Sequence, residues 1–153
     1  MPPLGSLYRK ASLFPLTERV PALVESPAVR DVLPWLGAWK PGPGPTVIPM
    51  TLRDGRRLRV GPLICYDAVS PWLARESVRQ GAEVLVTLSN DSWFAAGGGP
   101  LLHLAVAAFR SIETRRPQLR ATNTGITAAI DATGEVVATA GALLAAAVGG
   151  RRA

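Results

Sequence analysis

Leu58-Arg59-Val60-Gly61-Pro62-Leu63-Ile64-Cys65-Tyr66-Asp67-Ala68-Val69-Ser70-Pro71 is the stretch whose reading decides the fold. Its first half is an apolar run that reads as a strand, Leu58 to Cys65. Its end starts a helix, with Ser70 as N-cap and Pro71 at the first helical position. Cys65, the chain's one cysteine, therefore falls at a strand-to-helix turn. A helix N-terminus stabilises a thiolate there. A lone cysteine is more often a small buried hydrophobe, and position alone leaves both readings open.

Working outward, Val47 to Leu52 reads as a strand paired with Leu58 to Cys65 through a hairpin at Asp54-Gly55. Gly81 ends the helix that Pro71 begins. Glu83 to Leu88 is rich in Val and Leu and reads as a strand buried on both faces. Ser89 to Pro100 is a polar, Gly-rich loop. Leu101 to Arg115 carries Leu102, Ala105, Val106, Phe109 and Ile112 at helical spacing, and Pro117 stops it. Leu119 to Thr122, Ile126 to Asp131 and Glu135 to Thr139 read as strands, the last two joined by Asp131-Ala132-Thr133-Gly134. Upstream, Leu4 to Phe14 is a short extended segment. Glu18 to Trp39 is broken into short pieces by Pro21, Pro27 and Pro34. Pro41-Gly42-Pro43-Gly44-Pro45 is a stiff connector. The alternation of strands and helices predicts an α/β fold with a mixed sheet.

The 153 residues suffice for one domain with a core, and 48% of them are hydrophobic, which excludes disorder. A single cysteine permits no internal disulfide. No apolar run reaches the roughly 18 residues of a membrane helix. Met1 to Leu4 lacks the features of a signal peptide. The net charge of +6 comes from 15 Arg and two Lys, scattered rather than striped among aromatics. Nucleic-acid binding is therefore a weak reading, and attraction to an anionic membrane surface a better one. In a chain that uses Arg for its surface cations, Lys10 and Lys40 are exceptions. An amine that can share a proton is what Arg cannot supply.

Four segments now align with one family. Tyr8 to Pro15 resembles the lysine motif of the nitrilase (carbon–nitrogen hydrolase) superfamily, and Ile64 to Asp67 its nucleophile motif. Ser89-Asn90-Asp91-Ser92-Trp93-Phe94 and Arg120 to Thr127 with Ile130-Asp131 resemble its later loop and strand pair. Within the superfamily the run is similar to the apolipoprotein N-acyltransferases. Leu13-Phe14-Pro15 with Glu18 and Val20-Pro21, the Cys-Tyr-acid triplet, and Pro100 to His103 carry that likeness.

The resemblance implies an α-β-β-α sandwich. It implies Cys65 as nucleophile and Lys10 as the cation that stabilises the oxyanion, chemistry that suits a thioester carrier. Glu18 corresponds to a supporting glutamate. Tyr66 and Asp67 follow the nucleophile, where the family typically has Tyr and Glu. Asn90, Trp93 and Phe94 are candidate acyl-pocket residues. His103, the sole histidine, has no Cys or acidic ligands beside it and reads as structural; no metal or cofactor is implied.

The implied donor is a phospholipid, and the implied acceptor the N-terminal cysteine of an apolipoprotein. The full-length family works at the periplasmic face of the bacterial inner membrane. Residues 1–153 would form a single partial domain without a membrane span. No residue matches the superfamily's base glutamate, so a missing N-terminal part or a partner chain is expected to supply it. Half a sandwich is expected to expose apolar sheet. A soluble amidase with the same Cys and Lys, and a non-catalytic remnant, are the alternatives.

Overall fold

The computed structural model describes residues 7–19, 27–32, 39–94 and 97–140. The proline breaks at Pro21 and Pro34 and the Val20-Pro21 match lie outside them. The elements are α1 (Pro27–Val32), β1 (Ile48–Thr51), β2 (Arg57–Ile64), a 3-10 turn (Cys65–Val69), α2 (Pro71–Arg79), β3 (Val84–Ser89), α3 (Gly99–Thr114), β4 (Gln118–Thr122), β5 (Thr127–Ile130) and β6 (Val136–Ala140). Pro27 opens one short helical piece of the proline-divided stretch, because proline is at home in a first turn. Residues 7–14 form no strand; their backbone serves as donors and acceptors to the rest of the site.

The six strands lie in sequence order in one sheet, β1-β2-β3-β4-β5-β6. β2, β3 and β4 are parallel, and the outer pairs are antiparallel hairpins. Gly55 and Gly134 supply the left-handed backbone that the β1–β2 and β5–β6 turns require. The register places Leu63, Thr87, Arg120 and Ala128 in one row, and Gly61, Leu85, Gln118 and Ile130 in the next. Both rows face the helices. α2 packs Leu73 and Ala74 against Leu63 and Leu85, while α3 packs Leu104 against Ile126, Ala128 and Ile130. Gly61 leaves no room for a side chain beneath Ser77 and Ala82, which lets the chain after α2 approach the sheet.

Two expectations fail here. β3 is not buried on both faces. On the far side of the sheet Leu88 is 54% exposed, and Leu119, on the same face of β4, is 55% exposed. No second sheet covers that face among the described residues. The apolar stripe of α3 also points the wrong way. Leu102, Phe109 and Ile112 are exposed, and the inward face is His103, Leu104, Ala107, Arg110, Ser111 and Thr114. The outward face carries the larger apolar side chains, so the periodicity pointed to the wrong face. Leu104→Ala should therefore cost about 2–4 kcal/mol. Phe109→Ser, on the outward stripe, should cost less than about 1 kcal/mol. Urea unfolding of the two variants measures the contrast.

Candidate active site

β2 ends at Ile64, and Cys65 adopts φ 51°, a left-handed conformation that a residue with a Cβ rarely takes. Held there by the 3-10 turn, the half-buried thiol stands at the C-terminal edge of the parallel strands. Sites in open α/β sheets gather on that edge. α2 follows at once. Ser70 Oγ accepts the Leu73 N–H at 3.5 Å, and Pro71 occupies the first turn.

Asp67, two residues past the thiol, is completely buried. Its Oδ1 accepts the Ala11 N–H at 3.1 Å and the Ser12 N–H at 2.6 Å. Its Oδ2 accepts the Tyr8 hydroxyl and the Ile64 N–H, both at 2.9 Å. One carboxylate thus closes the turn under Cys65 and pins the segment on either side of Lys10. The short aspartate side chain reaches all four donors. Burial, with the adjacent Asp67 charge and hydrogen bond, pushes the Tyr8 phenol above its ordinary value, so it stays a donor. Tyr66 packs edge-on against Phe14, ring centroids 5.0 Å apart, a second link between the two segments.

Lys10 Nζ pairs with Glu18 Oε2, and the same oxygen accepts the Phe14 N–H at 2.6 Å. A tight loop makes this possible. The Glu18 and Arg19 N–H groups both donate to Phe14 O, at 3.1 and 3.0 Å. The Pro/Gly connector is also part of the site. Gly42 N–H donates to Lys10 O at 2.7 Å, and a Cβ on Gly42 would collide with the Arg9 backbone.

The loop after β3 lies beside this turn. Asn90 and Trp93 are exposed, Trp93 at 75%, and Phe94 tilts against the His103 ring at 5.7 Å between centroids. Behind the loop sits a cluster that sequence reading did not assemble. Arg120 Nη2 donates to Asp91 Oδ2 at 2.7 Å, Ser89 Oγ donates to Asp91 Oδ1 at 2.6 Å, and His103 Nδ1 lies 3.0 Å from Asp91 Oδ1. Among the described residues no three His, Cys, Asp or Glu are grouped as a metal site.

The carbon-nitrogen hydrolase family model matches residues 2–143. The chain belongs to the carbon-nitrogen hydrolase family. This carbon-nitrogen hydrolase chain is 36% identical over 138 residues to an apolipoprotein N-acyltransferase of Chlorobaculum tepidum, covering 84% of this chain and 25% of the relative. With the enzyme of the same name from Pseudomonas aeruginosa PAO1 it shares 38% over 136 residues, covering 85% of this chain and 25% of that one. With that of Caulobacter vibrioides it shares 46% over 94 residues, 61% of this chain and 17% of the relative. The chain spans about a quarter of the length of the first of these relatives. Saccharomyces cerevisiae Nit3, of the nitrilase superfamily, superposes with a TM-score of 0.56 at 27% identity, over 67% of this chain and 39% of that one. An amidase from Nesterenkonia sp. gives 0.58 at 19% identity, over 88% of this chain and 45% of that one, a likeness of fold. Carbon-nitrogen hydrolase architecture thus accounts for the mixed sheet and its helical layer.

The missed residues left a faint signal. Arg120 stands in a strand where Leu119 would ordinarily face the core, and a charged residue that takes the inward position needs a buried partner. Burial pushes the Asp91 carboxyl up, but the Ser89 hydroxyl, Arg120 and His103 outweigh it and hold it below the usual 3.8. A carboxyl lowered by folding contributes stability above its unfolded value, and that stability is lost as pH falls through the folded one. Urea unfolding should therefore show stability declining from about pH 4 downward, and Asp91→Asn should flatten that decline.

Proposed function

We propose that this chain carries the thiol and lysine of an acyl-transfer site that acylates lipoproteins. The observation that supports it best is the Asp67 carboxylate, which binds the segment bearing Lys10 to the turn bearing Cys65. The Cys65 thiolate attacks the ester carbonyl of a phospholipid, forming a C–S bond and an oxyanion that the Lys10 ammonium stabilises. Collapse expels the lysophospholipid alkoxide, which takes a proton, and leaves the acyl group on sulfur. The α-amino group of a lipoprotein's N-terminal cysteine then attacks the thioester, loses its proton, and returns the thiol. Glu18 fixes the Lys10 amine. Asp67 positions the segment. Neither carboxylate is free to take the thiol proton, since Glu18 holds Lys10 and Asp67 already accepts four donors. The base comes from outside the described residues.

The names of the relatives support acyl transfer to a lipoprotein nitrogen. No helix among the described residues is long and apolar enough to cross a membrane. The exposed Trp93 suits a wall that meets an acyl chain. Intact-mass spectrometry after incubation with phospholipid vesicles tests the proposal. The expected result is a gain of one acyl chain that hydroxylamine releases at neutral pH. A folded chain that gains no such mass overturns it, and points to an amidase or to a remnant without catalysis.

A further inference from the structure

The Asp91–His103–Arg120 cluster has no part in the acyl-transfer steps above, yet it is costly to build. Asp91, His103 and Arg120 are 2%, 7% and 1% exposed. They come from the loop after β3, from α3 and from β4. Arg120 Nε and Nη1 are buried without partners among the described residues, so the guanidinium is not fully compensated. A buried ion pair of this kind adds little net stability over apolar side chains of equal volume; its best-attested use is to specify one geometry.

That geometry is of two loops. The Asp91 N–H donates to Asn123 Oδ1 at 3.2 Å, and Asn123 Nδ2 donates to Asn90 Oδ1 at 2.7 Å. Asn90 Oδ1 also takes the Ser92 N–H at 3.1 Å. The Phe94 N–H donates to Asp91 O at 3.1 Å, and the Asn123 N–H to Ser89 O at 3.3 Å. Gly125 is closed against the Asp91 carboxylate, where a Cβ would overlap it. The register fixes where these loops stand. Ile64 pairs with Leu88, Leu88 with Ala121, and Ser89 with Thr122. Cys65, Asn90 and Asn123 therefore leave the sheet from the ends of three adjacent strands, spaced by about 5 Å per strand.

We propose that Asp91, His103 and Arg120 are positioning residues that lock the Asn90–Phe94 loop as the acyl-binding wall beside Cys65. The proposal rests on the acyl-transfer reading. Phe94, tilted against the His103 ring, transmits the lock to the wall, and Trp93 is carried with it. The charges act through the loop and do not touch the reacting atoms.

The test compares the full chain with Asp91→Asn and with the double variant Asp91→Leu/Arg120→Met. The double variant removes both charges and so keeps the fold even if the single change does not. Three quantities are read. The first is amide hydrogen exchange at 90–94 and 123–125. The second is the rate of Cys65 alkylation by iodoacetamide, which needs no acyl wall. The third is the concentration of a long-chain p-nitrophenyl ester that half-saturates Cys65 acylation. Exchange at both loops should rise about tenfold or more with α2 and β3 unchanged, since loop opening alone becomes easier. The half-saturating ester concentration should rise about tenfold, with the maximal rate and the alkylation rate within about threefold, the mark of lost ground-state binding. Unchanged loop exchange overturns the proposal. So does alkylation that falls in step with acylation, which would make the cluster plain scaffold. If the unmodified chain takes no ester at all, the acyl-transfer reading fails by itself. The wall assignment then falls with it, and the exchange result still decides whether the cluster locks the loops.

Discussion

Cys65→Ala should leave a folded chain that takes up no acyl group from phospholipid vesicles. The loss is complete because alanine has no atom that can hold the acyl carbon. Cys65→Ser keeps an atom that could, but a hydroxyl is a far weaker nucleophile without an adjacent base, and acylation should fall on the order of 10³-fold or more. Stability should hardly move. Alanine and serine keep the Cβ that makes φ 51° unfavourable, so the strain at the turn is the same as in the native chain. Cys65→Gly should instead gain up to about 1 kcal/mol, because glycine takes that conformation without penalty. Intact mass and urea unfolding on the same samples separate the two effects. An adduct that survives in Cys65→Ala would place the nucleophile elsewhere and end the proposal.

Asp67→Asn should damage both stability and reaction. Oδ1 serves Ala11 and Ser12, and Oδ2 serves Tyr8 and Ile64. Whichever way an asparagine amide is turned, its NH2 faces at least one backbone N–H that has lost its acceptor. Tyr8 can rotate its hydroxyl and accept; a peptide N–H cannot. Each buried donor left unsatisfied costs about 1–3 kcal/mol, so a total near 3 kcal/mol is expected. Tyr8→Phe removes one donor with no orphan and should cost about 1 kcal/mol. On the proposed reading, a loosened Lys10 segment would leave the oxyanion without its cation, and acylation of Cys65 should fall about 10²-fold. Urea unfolding and ester acylation kinetics measure the pair. An Asp67→Asn chain within about 1 kcal/mol of the original would show that other contacts hold the segment.

Much of the frame was legible because its signals are local. Asp54-Gly55 makes its hairpin, Ser70-Pro71 caps α2, and Gly81 ends it, each through chemistry within four residues. The mixed sheet followed from the alternation of elements, and the apolar run ahead of Ser70-Pro71 placed Cys65 at a strand-to-helix turn. What escaped depends on partners far along the chain. The inward side of α3 was hidden because its outward side is the more apolar, while His103, Arg110, Ser111 and Thr114 face inward. Leu119 and Arg120 exchange their ordinary roles because Asp91, 29 residues earlier, waits behind the strand. The site shows the same division. Cys65, Lys10 and Glu18 stood out by residue type and family likeness. The four-donor role of Asp67 and the part of Tyr8 in it are visible only when residues 55 to 59 positions apart meet.

That separation also sets a timetable. The β1–β2 hairpin and the β2–α2–β3 unit close over short stretches of chain and can form early. The segment carrying Lys10 docks onto Asp67 only across a loop of more than fifty residues, a slower closure with a larger entropic cost. On the proposed reading, a chain in which that segment has not docked would hold the Cys65 thiol without the Lys10 charge. Asp67 is where that long-range closure meets the local turn, since the same carboxylate holds Ile64 three residues away and Ala11 and Ser12 more than fifty away.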